Sequence, residues 1–334
     1  MSPSNNRIDN PPAPADEKPV STHRAFVYGA CAPGWGEIYA GSRMRGFMTA
    51  SLFLISAGWF TLTLFTVLQA IVGRVFDNLN GMDPIVLPDL PFISLGVSFF
   101  GIYFLWLWAM ISAVDVAWSH RQRTAAQYQA SVMWAVTLSW FCPGSGQVYA
   151  ADRRFGYILF AAYLIAILLS APAYTQLYQS LSEIAKSGQL SANNPYAVID
   201  IVHGLIARMN YSFGKLLQSC VRYFALAATL AALRQGPLAA NTRWSVPSAA
   251  YSAALLGMGW MCPGSGQILQ RRLKTGWYFL AGYLGSKLLI GFLLGHNFIA
   301  VQTADSLAWI TVIIQWVAMF EAPIWMMKVN SRVA

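Results

Sequence analysis

Long apolar runs dominate this chain and predict an all-α, polytopic integral membrane protein. Six of them reach the roughly 20 residues that a helix needs to cross a bilayer. These are Gly46–Val72, Pro91–Trp118, Gly156–Tyr178, Tyr211–Leu233, Gly276–Leu294 and Ser306–Met327. Three shorter apolar stretches are Ala25–Ala32, Ser131–Cys142 and Ser248–Cys262. They are too short to cross, so we predict short re-entrant or interfacial helices there.

Charged side chains alternate in sign between the apolar runs. Loops on one side carry arginines such as Arg43 and Arg153, whereas loops on the other carry acids such as Asp83 and Asp200. The positive-inside rule places the basic loops, and with them both termini, in the cytoplasm. We therefore expect a multi-pass membrane protein with both termini on the cytoplasmic side. The apolar spacing in Tyr196–Met209 predicts an amphipathic helix on the outer face.

A fourteen-residue pattern occurs three times without gaps, and each copy follows one of the short apolar stretches. The copies run from Pro33 to Gly46, from Pro143 to Gly156 and from Pro263 to Gly276. Internal repetition of this kind indicates one structural unit in several copies. We predict three tandem membrane repeats, at residues 24–123, 130–236 and 247–330, arranged with pseudo-threefold symmetry about the membrane normal.

The repeated turn has the form Pro-Gly-x-Gly followed by a polar residue. Its members are Pro33, Gly34, Gly36 and Glu37; Pro143, Gly144, Gly146 and Gln147; and Pro263, Gly264, Gly266 and Gln267. In one interpretation each polar side chain caps the exposed backbone of its own broken helix, because such groups need partners in a membrane. In the other, the three converge into a polar ring. No Gly-Lys-Ser or Gly-Lys-Thr follows, so the pattern is not a phosphate-binding loop.

The charged side chains that stand out inside the predicted spans are Asp115, Arg222, Lys287 and Glu321. A charge in the bilayer core is costly unless it is paired or hydrated, so each is a candidate functional residue. One interpretation is structural pairing between repeats, such as Arg222 with Glu321 or Lys287 with Asp115. The other is a transport or relay path, because transporter sites hold such residues.

Composition narrows the function classes. The chain is 56% hydrophobic and only 10% charged, and its net charge of +9 is spread over short clusters, which argues against nucleic-acid binding. The polar, proline-rich residues 1–23 are predicted to be a disordered cytoplasmic tail. No metal-ligand spacing or catalytic motif is present. We expect no enzymatic activity, no metal and no cofactor.

The second copy, Pro-Gly-Ser-Gly-Gln-Val-Tyr from Pro143 to Tyr149 with a basic cluster after it, carries a resemblance. It resembles small bacterial multi-pass membrane proteins with a Pro-Gly-x-Gly-Gln-x-Tyr motif, similar to the two-transmembrane-helix domain type. Glu37 and Leu269 depart from that motif in the other two copies. The resemblance implies a membrane unit and no assigned chemistry.

Two functions are compatible with these features. The first is a non-enzymatic inner-membrane scaffold, or an accessory subunit of a larger assembly, with the lipid bilayer and a membrane protein as partners. The alternative is a transporter or channel for a small solute or ion. Its path would run between the repeats, near Arg222, Lys287, Glu37, Gln147 and Gln267.

Overall fold

The structure is a computed structural model that describes residues 20–79, 91–123, 131–186, 195–235 and 249–333. Most of these residues are helical. No strand occurs among these residues, as the sequence predicts. Most of the predicted disordered tail, residues 1–19, lies outside them. In chain order the helices are α1 (Thr22–Cys31), α2 (Trp35–Tyr39), α3 (Arg43–Leu79), α4 (Phe92–Arg123), α5 (Val132–Phe141), α6 (Ser145–Tyr149), α7 (Arg153–Lys186), α8 (Pro195–Asn210), α9 (Phe213–Gln235), α10 (Ala249–Met261), α11 (Ser265–Leu269), α12 (Leu273–Gly295) and α13 (Val301–Val333).

Six of the described helices are long and apolar enough to cross a membrane: α3, α4, α7, α9, α12 and α13. They cover the six predicted runs, so that prediction is confirmed. Several helices continue past the apolar boundaries; α3, for example, begins at Arg43. Hydropathy marks where lipid contact ends, whereas the helix continues for as long as its backbone bonds can form.

Short helices occupy the three short apolar stretches, as predicted, and are α1, α5 and α10. The repeated pattern then forms a second, five-residue helix in each case, α2, α6 or α11, where the sequence suggested only a turn and a loop. The amphipathic helix predicted for Tyr196–Met209 is observed as α8. One side of α8 touches the start of α13, where His203 Nε2 lies 3.8 Å from Asp305 Oδ2.

The helices pack in three consecutive groups. We call α1–α4 the first segment, α5–α9 the second and α10–α13 the third. In each segment the short helix packs on the last long helix, and the two long helices pack on each other. Between segments, α4 contacts α6 and α7, and α9 contacts α11 and α12. Each contact joins the end of one segment to the beginning of the next.

The segments form an open row. Among the described residues, no helix of the first segment packs substantially against a helix of the third. The predicted pseudo-threefold arrangement is therefore wrong, since a closed ring needs that contact. Two buried clusters fill the two junctions instead. One includes Leu107, Leu138 and Tyr163, and the other includes Leu226, Leu255 and Ile268.

Candidate functional site

The repeated turn has the same backbone conformation in all three segments. Its first glycine adopts φ of 99° at Gly34, 99° at Gly144 and 89° at Gly264, in each case at the start of the five-residue helix. This left-handed region favours glycine because a Cβ would clash there. The preceding proline has no N–H and cannot continue the short helix. The pair therefore breaks the chain direction once per segment.

A close backbone contact links the second and last residues of each fourteen-residue pattern. A Cβ on Gly144 would lie 2.1 Å from the carbonyl oxygen of Gly156, and one on Gly156 would lie 2.7 Å from that of Gly144. The other two copies make the same contact, through Gly34 with Gly46 and Gly264 with Gly276. The pattern ends in glycine because the next span begins against the turn.

In the second and third segments the broken helix is capped by serine, not by the amide that the sequence suggests. Ser145 Oγ lies 2.7 Å from the carbonyl oxygens of both Leu138 and Cys142, and its one hydrogen can be donated to either. Ser265 Oγ donates to Met258 O at 2.6 Å. In the first segment Trp35 takes this position, and its side chain is exposed. The end of the short helix is thus capped from within the turn, but the capping residue is serine and not the predicted glutamine.

The two glutamines of the motif bind the last long helix of their own segment. Gln147 Nε2 donates to Ala225 O at 3.3 Å, and Gln267 Nε2 donates to Ala318 O at 2.7 Å. Both side chains are buried. Each side chain is engaged within its own segment, so the three do not converge and the polar-ring interpretation is wrong. They tie the turn to the span.

Glu37 stands at the same position in the first segment and is also buried. Its Oε1 accepts a hydrogen bond from Thr49 Oγ1 at 3.3 Å. Burial raises the pKa of Glu37 above its ordinary value of 4.5, because the charged form loses its hydration. A protonated carboxyl has nearly the shape of the glutamine amide and can donate one hydrogen bond, so Glu37 in that form can donate as Gln147 does.

The motif tyrosine binds the start of the short helix. Tyr39 Oη accepts from Ser21 N at 3.4 Å, and Tyr149 Oη accepts from Ser131 N at 3.0 Å. A helix leaves its first N–H groups without partners, and these contacts satisfy backbone at that end. Leu269 in the third segment cannot make this bond. The sequence gives the tyrosine spacing but not its partner.

The two segment junctions repeat the same contacts. Cys142 Sγ donates to Leu107 O at 3.5 Å, and Cys262 Sγ donates to Tyr223 O at 3.7 Å. Burial raises the pKa of both thiols, which keeps the S–H donor in place. One residue further along each last helix, an aromatic pair follows. Trp108 packs on Tyr157 with ring centroids 6.2 Å apart, and Phe224 packs on Trp277 at 5.5 Å.

Asp115 lies at the first junction with its side chain buried. Its Oδ1 lies 2.5 Å from Arg153 Nε, and its Oδ2 accepts from Arg153 Nη2 at 2.7 Å and from Tyr157 Oη at 3.2 Å. An ion pair between repeats was expected, but with Lys287. The partner is instead an arginine of the basic cluster that follows the second turn.

Glu321 pairs within the third segment. Arg272 Nη1 donates to Glu321 Oε2 at 2.9 Å, and Gln267 Nε2 donates to the same oxygen at 2.9 Å. The predicted pair with Arg222 is wrong. Asp115 and Glu321 are also not equivalent. The second motif glycine faces Ala113 in the first segment and Ala322 in the third, so Asp115 lies two residues after that point and Glu321 one before it.

Arg222 and Lys287 pack on aromatic rings. Arg222 Nη2 donates to Tyr163 Oη, and its guanidinium lies 5.7 Å from the Trp140 ring centroid. Lys287 Nζ lies 4.8 Å from the Tyr283 ring centroid. Neither has a carboxylate within ion-pair distance in the part of the chain that the structure describes. Cation–π contacts partly replace the missing counter-charge.

The position of Arg222 is a donor position in the other segments. Trp106 Nε1 donates to Ala30 O at 2.7 Å, and Gln315 Nε2 donates to Trp260 O at 2.5 Å. Both acceptors lie near the end of a short helix, where Trp140 lies in the second segment. Arg222 therefore faces the end of its own short helix. Sequence reasoning missed this, because tryptophan, arginine and glutamine share only their N–H groups.

A second left-handed position also went unrecognised. The ninth residue of the pattern has positive φ in all three copies, at Gly41 (93°), Ala151 (71°) and Arg271 (65°). Only the first is glycine, so the pattern gave no signal. The backbone there ends the five-residue helix and turns into the next span.

The charged residues do not line the groove of about 380 Å³ that lies between α12 and α13. Its lining is Thr275, Tyr278, Phe279, Gly282, Ile313, Ile314 and Val317. Comparisons with protein-family models, with curated proteins and with solved structures give no match to this chain. The site is therefore interpreted from its own contacts.

Proposed function

We propose that this chain is a non-enzymatic scaffold or accessory subunit of a larger assembly in the bacterial inner membrane. In this proposal the three segments are copies of one unit, similar to the two-transmembrane-helix domain type. The short helices α1, α5 and α10 are re-entrant or interfacial, and both termini are cytoplasmic. Its partners are the lipid bilayer and a membrane protein, and no nucleic acid.

The observation that carries the scaffold role is the use of the acidic side chains. Asp115 joins α4 to α7, and Glu321 joins α13 to α11 and to Arg272, the residue just before α12. Both acids are thus engaged in holding helices together. The motif glutamines are engaged in the same way. Side chains fixed by several neighbours are poorly suited to exchange a solute or a proton, which favours a structural role over transport.

Recurrence of the same contacts supports one unit in three copies. The turn conformation, the glycine contact and the junction pairs recur at equivalent positions. Non-helical backbone at membrane depth is tolerated only where protein or a hydrated cavity surrounds it. The buried prolines and glycines of the turns meet that condition, which supports re-entrant or interfacial placement.

Affinity purification in mild detergent tests the scaffold role. We expect a second membrane protein to copurify with this chain in fixed stoichiometry. It should be absent when an unrelated tagged membrane protein is purified in the same way. Purification of the chain alone, together with solute or ion flux after reconstitution in liposomes, would reject the scaffold role.

The orientation in the membrane has its own test. In a Cys31→Ser background, Ser187→Cys should react with a membrane-impermeant maleimide from outside the cell, and reaction only from the cytoplasm would reject the proposed topology. Ser187 lies outside the described residues.

Transport remains the second candidate because of Arg222 and Lys287. Both lie within spans and have aromatic rings as neighbours, with no carboxylate within ion-pair distance among the described residues. Such cations can attract an anion. Flux that depends on both residues would establish this function, and flux unchanged in Arg222→Gln and Lys287→Gln would reject this path.

A further inference from the structure

The face that each segment presents to the preceding one is covered only where a preceding segment exists. In the second and third segments this face is buried or half-buried. In the first segment the equivalent side chains are exposed. The exposed residues are Tyr28, Trp35, Phe47 and Leu54, whose equivalents are Leu138, Ser145, Tyr157 and Leu164, and Met258, Ser265, Trp277 and Leu284.

The last helix shows the complementary pattern. On α4 and α9, most residues that face the following segment are buried or half-buried, although Phe224 is 40% exposed. On α13 the equivalent positions are exposed. They are Trp316, Phe320 and Ile324, which correspond to Leu107, Ile111 and Asp115 on α4 and to Tyr223, Ala227 and Ala231 on α9. The two ends of the row therefore carry the two halves of one junction.

An exposed apolar side chain can simply contact lipid. Phe47 is therefore compared with a second exposed residue of α3. Ile55 is 67% exposed and Phe47 63%, and both lie on α3. The equivalent of Ile55 in the second segment, Ile165, is still 54% exposed although a segment precedes it. That position faces outwards throughout. Phe47 is different, because its equivalents Tyr157 and Trp277 are half-covered by the preceding segment.

The groove between α12 and α13 lies where the missing aromatic would pack. Val317 lines this groove and is equivalent to Trp108 and Phe224, the residues that receive Tyr157 and Trp277. The third aromatic of the series is Phe47, at the opposite end of the row. No Phe47 of the same chain reaches Val317, because the first and third segments do not pack together among the described residues.

We propose that a second copy of this chain docks head to tail, with its α1–α3 face on the α13 face of the first copy and its Phe47 against Val317. The proposal rests on the three segments being copies of one unit, and it is independent of the scaffold role. Such a contact joins two different surfaces, so it leaves one half-junction free at each end and can add further copies.

Photocrosslinking in native membranes tests the contact. A benzophenone amino acid replaces Phe47, and crosslinked peptides are identified by mass spectrometry in cells that express two differently tagged copies. We expect Phe47→p-benzoylphenylalanine to crosslink to α13 of the other copy near Val317. The matched control, Ile55→p-benzoylphenylalanine, should give no crosslink to protein.

A second position separates failure of this contact from failure of the unit. Tyr157→p-benzoylphenylalanine should crosslink to α4 of its own chain near Trp108. If it does so while position 47 gives only lipid adducts or crosslinks to position 47 of the other copy, head-to-tail docking is rejected. If position 157 fails as well, the junction and the proposed unit are rejected together.

A designed ion pair gives a gain-of-function test. Asp115 and Arg153 form an ion pair across the first junction. At the ends of the row, Ile324 is equivalent to Asp115 and Arg43 is equivalent to Arg153. Ile324→Asp should raise the fraction of crosslinked or co-purified copies several-fold, because its carboxylate can pair with Arg43 of the second copy. Ile324→Asn should not, and Arg43→Gln should cancel the gain. An equal effect of Asp and Asn, or no gain with Asp, would contradict the proposed register.

Discussion

The carboxylate of Asp115 in α4 binds the guanidinium of Arg153 at the start of α7, 38 residues further along the chain. The pair joins the first segment to the second. Asp115 is buried while Arg153 is half-exposed, so the guanidinium keeps contact with solvent. A residue of the basic cluster thus holds two segments together.

Closing the space between the two motif glycines should destabilise the chain. Gly156→Ala places a Cβ 2.7 Å from Gly144 O, and we expect a loss of about 1–3 kcal/mol in the free energy of unfolding, the range for overpacked sites. Gly285→Ala is the control, since no atom lies within 4 Å of its added Cβ. It should be neutral or slightly stabilising. Unfolding in detergent measures both, and equal effects would contradict the close contact.

Relief of the left-handed residues should stabilise the chain. Ala151→Gly and Arg271→Gly should each gain about 1 kcal/mol, because a residue with a Cβ pays that cost at positive φ. Gly41→Ala at the equivalent position should lose a similar amount. Thermal unfolding gives the order of the three variants, and a loss in both glycine variants would show that the side chains contribute more than the backbone strain costs.

Glu37 should make stability depend on pH. Because burial raises its pKa in the folded state, the folded chain binds the proton more tightly than the unfolded chain. Its contribution is complete below pH 4.5 and is lost as pH rises through the raised pKa. Glu37→Gln should remove this pH dependence. The free energy of unfolding of the wild type minus that of the variant should therefore fall as pH rises. A difference curve that is flat or rises with pH would contradict protonation of Glu37.

Arg222 should be replaceable by another donor. Gln315 occupies the equivalent position in the third segment, so Arg222→Gln should retain most of the stability. Arg222→Leu should lose about 1.5–3 kcal/mol, the range for a hydrogen bond made by a charged group, because it removes the donor to Tyr163 Oη. Expression level and unfolding in detergent compare the two variants. If leucine is tolerated as well as glutamine, the donor role is wrong.

The sequence predicts what depends on local pattern. The six spans follow from the length of apolar runs, and the break at Pro143 and Gly144 follows from backbone chemistry. It does not predict which side chain meets which. Ser145 caps the broken helix, but Trp35 at the same position in the first copy hides that role from a comparison of the three copies.

Symmetry is a second property that the pattern leaves open. Three similar units can form a closed ring or an open row, and no pattern in the sequence distinguishes the two arrangements. The choice depends on packing at Leu107, Leu138 and their neighbours, which pairs α4 with the second segment alone. Partners of Asp115 and Glu321 were mispredicted for the same reason, since they depend on which helices are adjacent.

The central claim is that the acids inside the spans hold helices together, and a double-mutant cycle on Asp115 and Arg153 tests it most directly. The free energy of unfolding is measured for wild type, Asp115→Asn, Arg153→Gln and the double variant. We predict a coupling of about 1 kcal/mol, modest because Arg153 is half-exposed. The double variant should then lose less than the sum of the two single losses. Strictly additive losses would contradict the claim.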